Sequence, residues 1–144
     1  MRLGSPWASP TLIEEADYTE PRYLEGLGVE VRAPVRFDEV IGWMGKGIFS
    51  PVIYRPLFDQ LQLVTCRTYE TVAANTIPVF GQAAEFVAEV YGEEAVALVL
   101  SEEGATEQLR EIVARPEAYI GIVERMRRHL REKYAYEVRL QELI

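Results

Sequence analysis

The chain has 144 residues, 49% of them apolar and 26% charged, with 15 basic against 23 acidic side chains and a formal net charge of −8. That length suits one domain with a core rather than two, the composition is that of a folded soluble protein, and the acidic balance argues against a nucleic-acid partner, which needs a basic face. Cys66 is the only cysteine and His129 the only histidine, which excludes an internal disulfide and a zinc constellation. No run approaches the roughly twenty apolar residues of a membrane span. The opening residues, Met1 to Trp7, lack the apolar core of a signal peptide. The expectation is a cytoplasmic protein without a membrane span or a metal.

Prolines at 6, 10, 21, 34, 51 and 56 punctuate the first sixty residues and mark turns and element starts. A helix over 21–27 would place Pro21 at its first position and Gly28 just past its end. Residues 29–33 alternate like a strand, which Pro34 closes. Asp38 is an N-cap candidate for a helix over 39–44 that Gly45 and Gly47 terminate. A second strand is predicted over 50–55. Gly45-Lys46-Gly47 is too short for a phosphate loop, and the chain has neither a dinucleotide fingerprint nor a Walker-type loop, which counts against a Rossmann dehydrogenase.

The next segment is the most informative. Residues 66–75 read as a short helix carrying Arg67, Thr68 and Glu70 in its first turns, leaving through Asn75 in a left-handed C-cap and entering a strand at 77–80. A helix N-terminus gathers unpaired N–H groups and partial positive charge, so it suits a phosphate. Arg67 adds a forked cation. Glu70 offers an acceptor for the vicinal hydroxyls of a ribose, its plainer role being a carboxylate favoured by the helix dipole. Arg55, at the end of the predicted strand, is a weaker phosphate candidate against a plain surface role. Cys66 could be a helix-terminal nucleophile, although a lone buried cysteine is the commoner case.

Residues 83–91 form the next helix, with Phe86, Val87 and Val90 on one face and Gly92 as the stop. The apolar run 95–100 has the length of a strand buried on both faces. Helices follow: a stripe of Leu109, Ile112 and Val113, then a helix opened by Pro116 with Tyr119, Ile120, Val123, Met126 and Leu130 on one face. Tyr136, Leu140, Leu143 and Ile144 form a last stripe. This helical tail covers the sheet or crosses to another domain. Arg125, Arg127, Arg128, His129, Arg131 and Lys133 form a charged patch, read as a solvated helix face with Glu124 and Glu132 as partners or as a phosphate or membrane patch. Strands alternating with helices predict an α/β fold, a Rossmann-like, mostly parallel sheet between helices. Ligands then sit at the carboxyl ends of its strands.

Arg67-Thr68-Tyr69-Glu70, followed by Ala73-Ala74-Asn75-Thr76-Ile77-Pro78-Val79, resembles the donor-binding element of group 1 glycosyltransferases of the GT-B fold, nearest to the spore-maturation type with its Arg-Thr-Phe-Glu signature. The tail is similar as well: a helix at about 106–114, the turn Arg115-Pro116-Glu117, a long amphipathic helix, and Tyr134-Ala135-Tyr136-Glu137-Val138-Arg139-Leu140. The resemblance covers 50–144, while 1–49 match only in general α/β character. It implies one domain over 1–144, the C-terminal half of a GT-B fold, binding a nucleotide-diphosphate sugar as donor substrate with no cofactor. It implies that Glu70 holds the ribose hydroxyls, that Arg67 and Thr68 lie at the diphosphate, and that Tyr69 packs where the family has Phe. Gln62 stands where many group 1 enzymes carry a second glutamate.

The resemblance also implies that the acceptor half is missing. The chain is then a fragment, or a subunit that needs a partner, and does not transfer sugar alone. An exposed interdomain face would favour self-association. The competing expectation is a degenerate, non-catalytic interaction module with the same fold. Neither the nucleotide base nor the sugar nor the acceptor is legible.

Overall fold

The computed structural model describes residues 25–30, 35–54 and 56–141. Arg55, Leu143, Ile144 and most of the predicted elements at 21–27 and 29–33 lie outside the described residues. The chain divides into two compact units, Met1–Val35 and Arg36–Ile144. In the first, Gly28 closes a helical turn at φ +78, its N–H donating to Glu25 O at 2.9 Å. Val29 and Glu30 belong to neither helix nor strand.

The second unit opens with a 3-10 turn, Phe37–Glu39, that runs into α1 (Val40–Met44). Asp38 is not the N-cap. It lies inside the turn, bound to the Arg36 guanidinium at 3.1 Å, while the Arg36 N–H donates to Glu39 Oε2 at 3.2 Å. The acidic pair therefore serves the residue before the turn. Gly45 ends α1 as expected, donating to Ile41 O at 3.0 Å.

Strand β1 (Phe49–Val52) is followed by α2 (Pro56–Gln60) and α3 (Cys66–Ala73), and the chain returns in β2 (Ile77–Phe80). The two strands pair in parallel from Phe49↔Ile77 to Val52↔Phe80. Pro51 is tolerated because, among the described residues, β1 pairs with β2 alone and its other edge is open. After β2 come α4 (Ala84–Tyr91), a 3-10 helix Glu93–Leu98, α5 (Ala105–Ala114), α6 (Glu117–Tyr134) and α7 (Tyr136–Gln141).

The run 95–100 is not a strand. It winds as 3-10 helix to Leu98, and a single parallel bridge joins Val99 to Phe80, with the Leu100 N–H on Phe80 O at 2.8 Å. The buried residues explain the choice. Ala95 and Leu98 face the core three positions apart, the repeat of a 3-10 turn, while Glu94 and Ala97 face out. The architecture is thus mixed α/β, and among the described residues the sheet is a parallel pair extended by one bridge, smaller than the sheet expected from the sequence.

The core gathers Val52 from β1, Val79 and Phe80 from β2, Phe86, Val87 and Tyr91 from α4, Ile112 from α5, and Val123, Met126 and Leu130 from α6. Burying each large apolar side chain contributes about 1.5–3 kcal/mol before chain entropy is subtracted. Phe80 and Tyr91 pack with ring centroids 4.7 Å apart. Ile120 and Val113, predicted on apolar stripes, are exposed, and so are Tyr136 and Leu140 of α7.

Candidate functional site

Helix α3 starts on the carboxyl side of the parallel pair. Tyr54, two residues beyond β1, reaches its first turn: the Tyr54 hydroxyl lies 2.8 Å from Thr68 Oγ1 and accepts from Thr65 Oγ1 at 3.3 Å. The Thr65 N–H donates to Thr68 Oγ1 at 3.2 Å, the arm of a capping box usually supplied by Glu or Gln. Thr68 is fully buried. Its hydroxyl is therefore engaged in fixing the helix start and is not presented to solvent at the place where the diphosphate was expected.

Arg67 and Glu70 stand one turn apart and form an ion pair at 3.2 Å, with side-chain exposures of 46% and 12%. Arg67 Nη1 also donates to Met44 Sδ at 3.2 Å. A thioether is a weak acceptor, so much of the guanidinium's donor capacity remains for an anion. Tyr69 is partly exposed and packs edge-on against Tyr134, centroids 6.1 Å apart, which fits a packing position. Cys66 is exposed rather than buried, because the first residue of α3 points away from the core. Arg55 lies outside the described residues. The structure thus brings Arg67 and Glu70 together and places Thr68 beneath them.

Tyr91 adds a second phenol behind this cluster. Its hydroxyl lies near Tyr54 and Thr68 but makes no hydrogen bond of good geometry among the described residues. Burial, and secondly Tyr54, raise its pKa far above the ordinary tyrosine value. Tyr91 stays neutral wherever the protein is folded in ordinary buffers. Gln82, just past β2, is buried with both amide atoms unpartnered among the described residues.

The other end of α3 departs from expectation. Asn75 is not left-handed: Gln62, at φ +49, is the one non-glycine with positive φ among the described residues, and Ala74 leaves α3 in extended conformation. An αL turn would return backbone N–H groups to the last carbonyls. Here Arg127 of α6 does so instead, with Nε on Val72 O at 2.8 Å and Nη2 on Ala74 O at 3.0 Å. Gln62 has the role expected of Asn75, in another helix. It ends α2, with the Leu63 N–H bonded back to Phe58 O at 3.0 Å in the six-to-one bond of a Schellman motif.

Three members of the basic patch make contacts with other elements. Arg125 pairs with Glu94, Lys133 donates to Glu89 O at 2.7 Å, and Arg127 closes α3. The role of Arg127, read in the sequence only as a member of the charged patch, and that of Tyr54 were missed. Arg127 had a visible signal, since it follows Val123 by four positions and so falls on the buried face of its helix. Tyr54 had none, because its partner is fourteen residues away.

Of the cavities elsewhere, two border buried polar atoms that have no partner among the described residues. One of about 210 Å³ sits at the amino edge of the strands, with Ile48, Thr76, Ile77 and Arg127 in its wall. Another, about 290 Å³, is bounded by Gly92, Glu93, Arg128 and His129, whose Nε2 is buried without a partner among the described residues. Among the described residues, no group of three or more His, Cys, Asp or Glu comes together to hold a metal, and no helix is long and apolar enough to cross a membrane. Comparison with protein-family models, with curated proteins and with solved structures returned no match.

Proposed function

We propose that this chain is the donor-binding half of a glycosyltransferase, holding a nucleotide-diphosphate sugar while a second half presents the acceptor. One observation carries the reading: α3 begins at the carboxyl side of a parallel pair and carries Arg67 and Glu70 on adjacent turns, in a sequence that resembles a group 1 donor element. The diphosphate would lie at the helix start, where N–H groups and the dipole favour negative charge. Arg67 would exchange its weak thioether contact for a phosphate oxygen. Glu70, released from sharing that guanidinium, would accept from the ribose hydroxyls. As the glycosidic bond breaks, charge grows on the leaving nucleotide, and these groups stabilise it electrostatically.

In this reading Thr68 orients the site rather than touching the donor, and Tyr54 locks Thr68. The segment 37–64 supports a missing partner: Phe37, Ile48, Ile53, Leu57 and Leu61 are all exposed, with Ile53 at 77%. The partner is an acceptor half or a second copy, and the compartment is the cytoplasm.

The second reading is an interaction module with the same fold. It is favoured by the self-satisfied state of the site, in which Arg67 and Glu70 pair with each other and the Thr68 hydroxyl is already used.

Calorimetric titration with UDP, GDP, ADP and dTDP separates the two. The donor reading expects one nucleotide to bind at micromolar to millimolar strength. It expects Glu70→Ala to weaken that binding at least tenfold with the unfolding midpoint little changed. No binding of any nucleotide to the folded chain, or equal binding by Glu70→Ala, would leave the interaction module.

A further inference from the structure

The cavity at the amino edge of the strands lies at the opposite end of the sheet from the α3 start, because Ile48 precedes β1 and Thr76 precedes β2. Its volume, about 210 Å³, is that of roughly seven liquid-phase waters. Apolar side chains dominate its walls: Ile48, Ile77, Pro116, Ile120 and Val123. The charged group in the wall is the Arg127 guanidinium, and no carboxylate lines the cavity.

Arg127 is anchored but not neutralised. Its Nε and Nη2 each donate to a carbonyl of the α3 terminus, which leaves three of its five N–H bonds without a partner among the described residues. No carboxylate pairs with it among the described residues either. The two bonds hold the fork against Ala74, next to Asn75 and Thr76 of the cavity wall, so the planar cation is fixed in orientation before any ligand arrives. Thr76 also buries a hydroxyl with no partner among the described residues.

A half-buried, pre-oriented guanidinium on a mostly apolar cavity calls for one kind of occupant. It must carry an anionic head that accepts two parallel N–H bonds and an apolar body that displaces water from isoleucine and valine. We propose that this cavity binds a small carboxylic acid with an aromatic or branched aliphatic body. The head pairs with the unused N–H bonds of Arg127, and the body rests on Ile77, Ile120 and Val123. The site is independent of the donor reading, since it shares no side chain with Arg67 or Glu70.

Phenylacetate is a suitable probe, titrated into the full chain and followed by amide NMR. Saturable shifts centred on Asn75, Thr76, Ile77 and Ile120 are expected at roughly millimolar strength, in line with a ligand of about ten non-hydrogen atoms. Phenylacetamide, with the same body and no charge, should bind at least tenfold more weakly. Arg127→Lys, which keeps the charge and loses the fork, should weaken the acid at least fivefold. Should Arg127→Lys fail to fold, Ile120→Trp decides the matter: it fills the mouth from an exposed position and should abolish the shifts while leaving the rest of the spectrum in place. The proposal is overturned by equal affinity for acid and amide, by shifts centred on Arg67 and Glu70, by unchanged binding in folded Ile120→Trp, or by no saturable shift at all.

Discussion

Replacing Arg127 with methionine keeps the apolar stem on α6 and removes the fork that closes α3. The two bonds, 2.8 Å to Val72 O and 3.0 Å to Ala74 O, end on carbonyls at the negative end of a helix. A hydrogen bond to a charged group contributes about 1.5–3 kcal/mol. The side chain is half-buried and water can reach part of what is uncovered. We therefore expect Arg127→Met to cost about 2–3 kcal/mol for the pair, the attraction of the cation to the helix end included. Against a total stability of roughly 5–15 kcal/mol that is a large loss, and at about 4 °C per kcal/mol it lowers Tm by about 8–12 °C.

Urea denaturation followed by far-UV circular dichroism measures it, with the slope m unchanged if the loss is one of stability alone. Arg127→Lys should fall between parent and Met. Arg125→Met supplies the control, because the Arg125–Glu94 pair is exposed on both sides and should cost less than about 1 kcal/mol. If Arg127→Met unfolded within about 0.5 kcal/mol of the parent, or matched Arg125→Met, the guanidinium would not be what closes α3.

Gly92→Ala should cost about 1–3 kcal/mol, since φ +96 and ψ 154 is a region open in practice to glycine and the new Cβ would stand 3.4 Å from His129 Cγ. A midpoint equal to the parent's would show that the backbone there can relax. Gln62→Gly should stabilise by about 0.5–1 kcal/mol by relieving φ +49, and a loss of stability would mean that the Gln62 side chain has a contact worth more than the strain. Tyr91→Phe keeps the ring packing on Phe80 and should change stability by less than about 1 kcal/mol near neutral pH, because the hydroxyl has no well-formed bond. At alkaline pH the two proteins should part. The unfolded phenol releases its proton above about pH 10 while the buried one does not. Tyr91's contribution is therefore intact below that pH and declines by about 1.4 kcal/mol per unit above it. Identical alkaline slopes for parent and Tyr91→Phe would refute the buried-phenol account.

Local pattern was enough wherever one helix face or one stop residue decided the outcome. The start of α3 after Thr65, β2 at Ile77–Phe80, the end of α4 at Gly92 and the buried stripe Val123, Met126 and Leu130 all follow from spacing within a few residues. The grouping of Arg67 with Glu70 was legible for the same reason, since three positions on a helix bring side chains together. What the sequence could not display was the partner of each polar group. Whether Thr68 faced a ligand or Tyr54, whether α3 closed on Asn75 or on Arg127, and whether 95–100 paired as a strand or coiled under Leu98 each depended on groups brought from elsewhere in the chain. A hydroxyl, a helix terminus and an apolar run each have several acceptable local states of nearly equal energy. Long-range contacts chose among them: the guanidinium that reached the α3 carbonyls from 53 and 55 residues away made a left-handed turn there unnecessary.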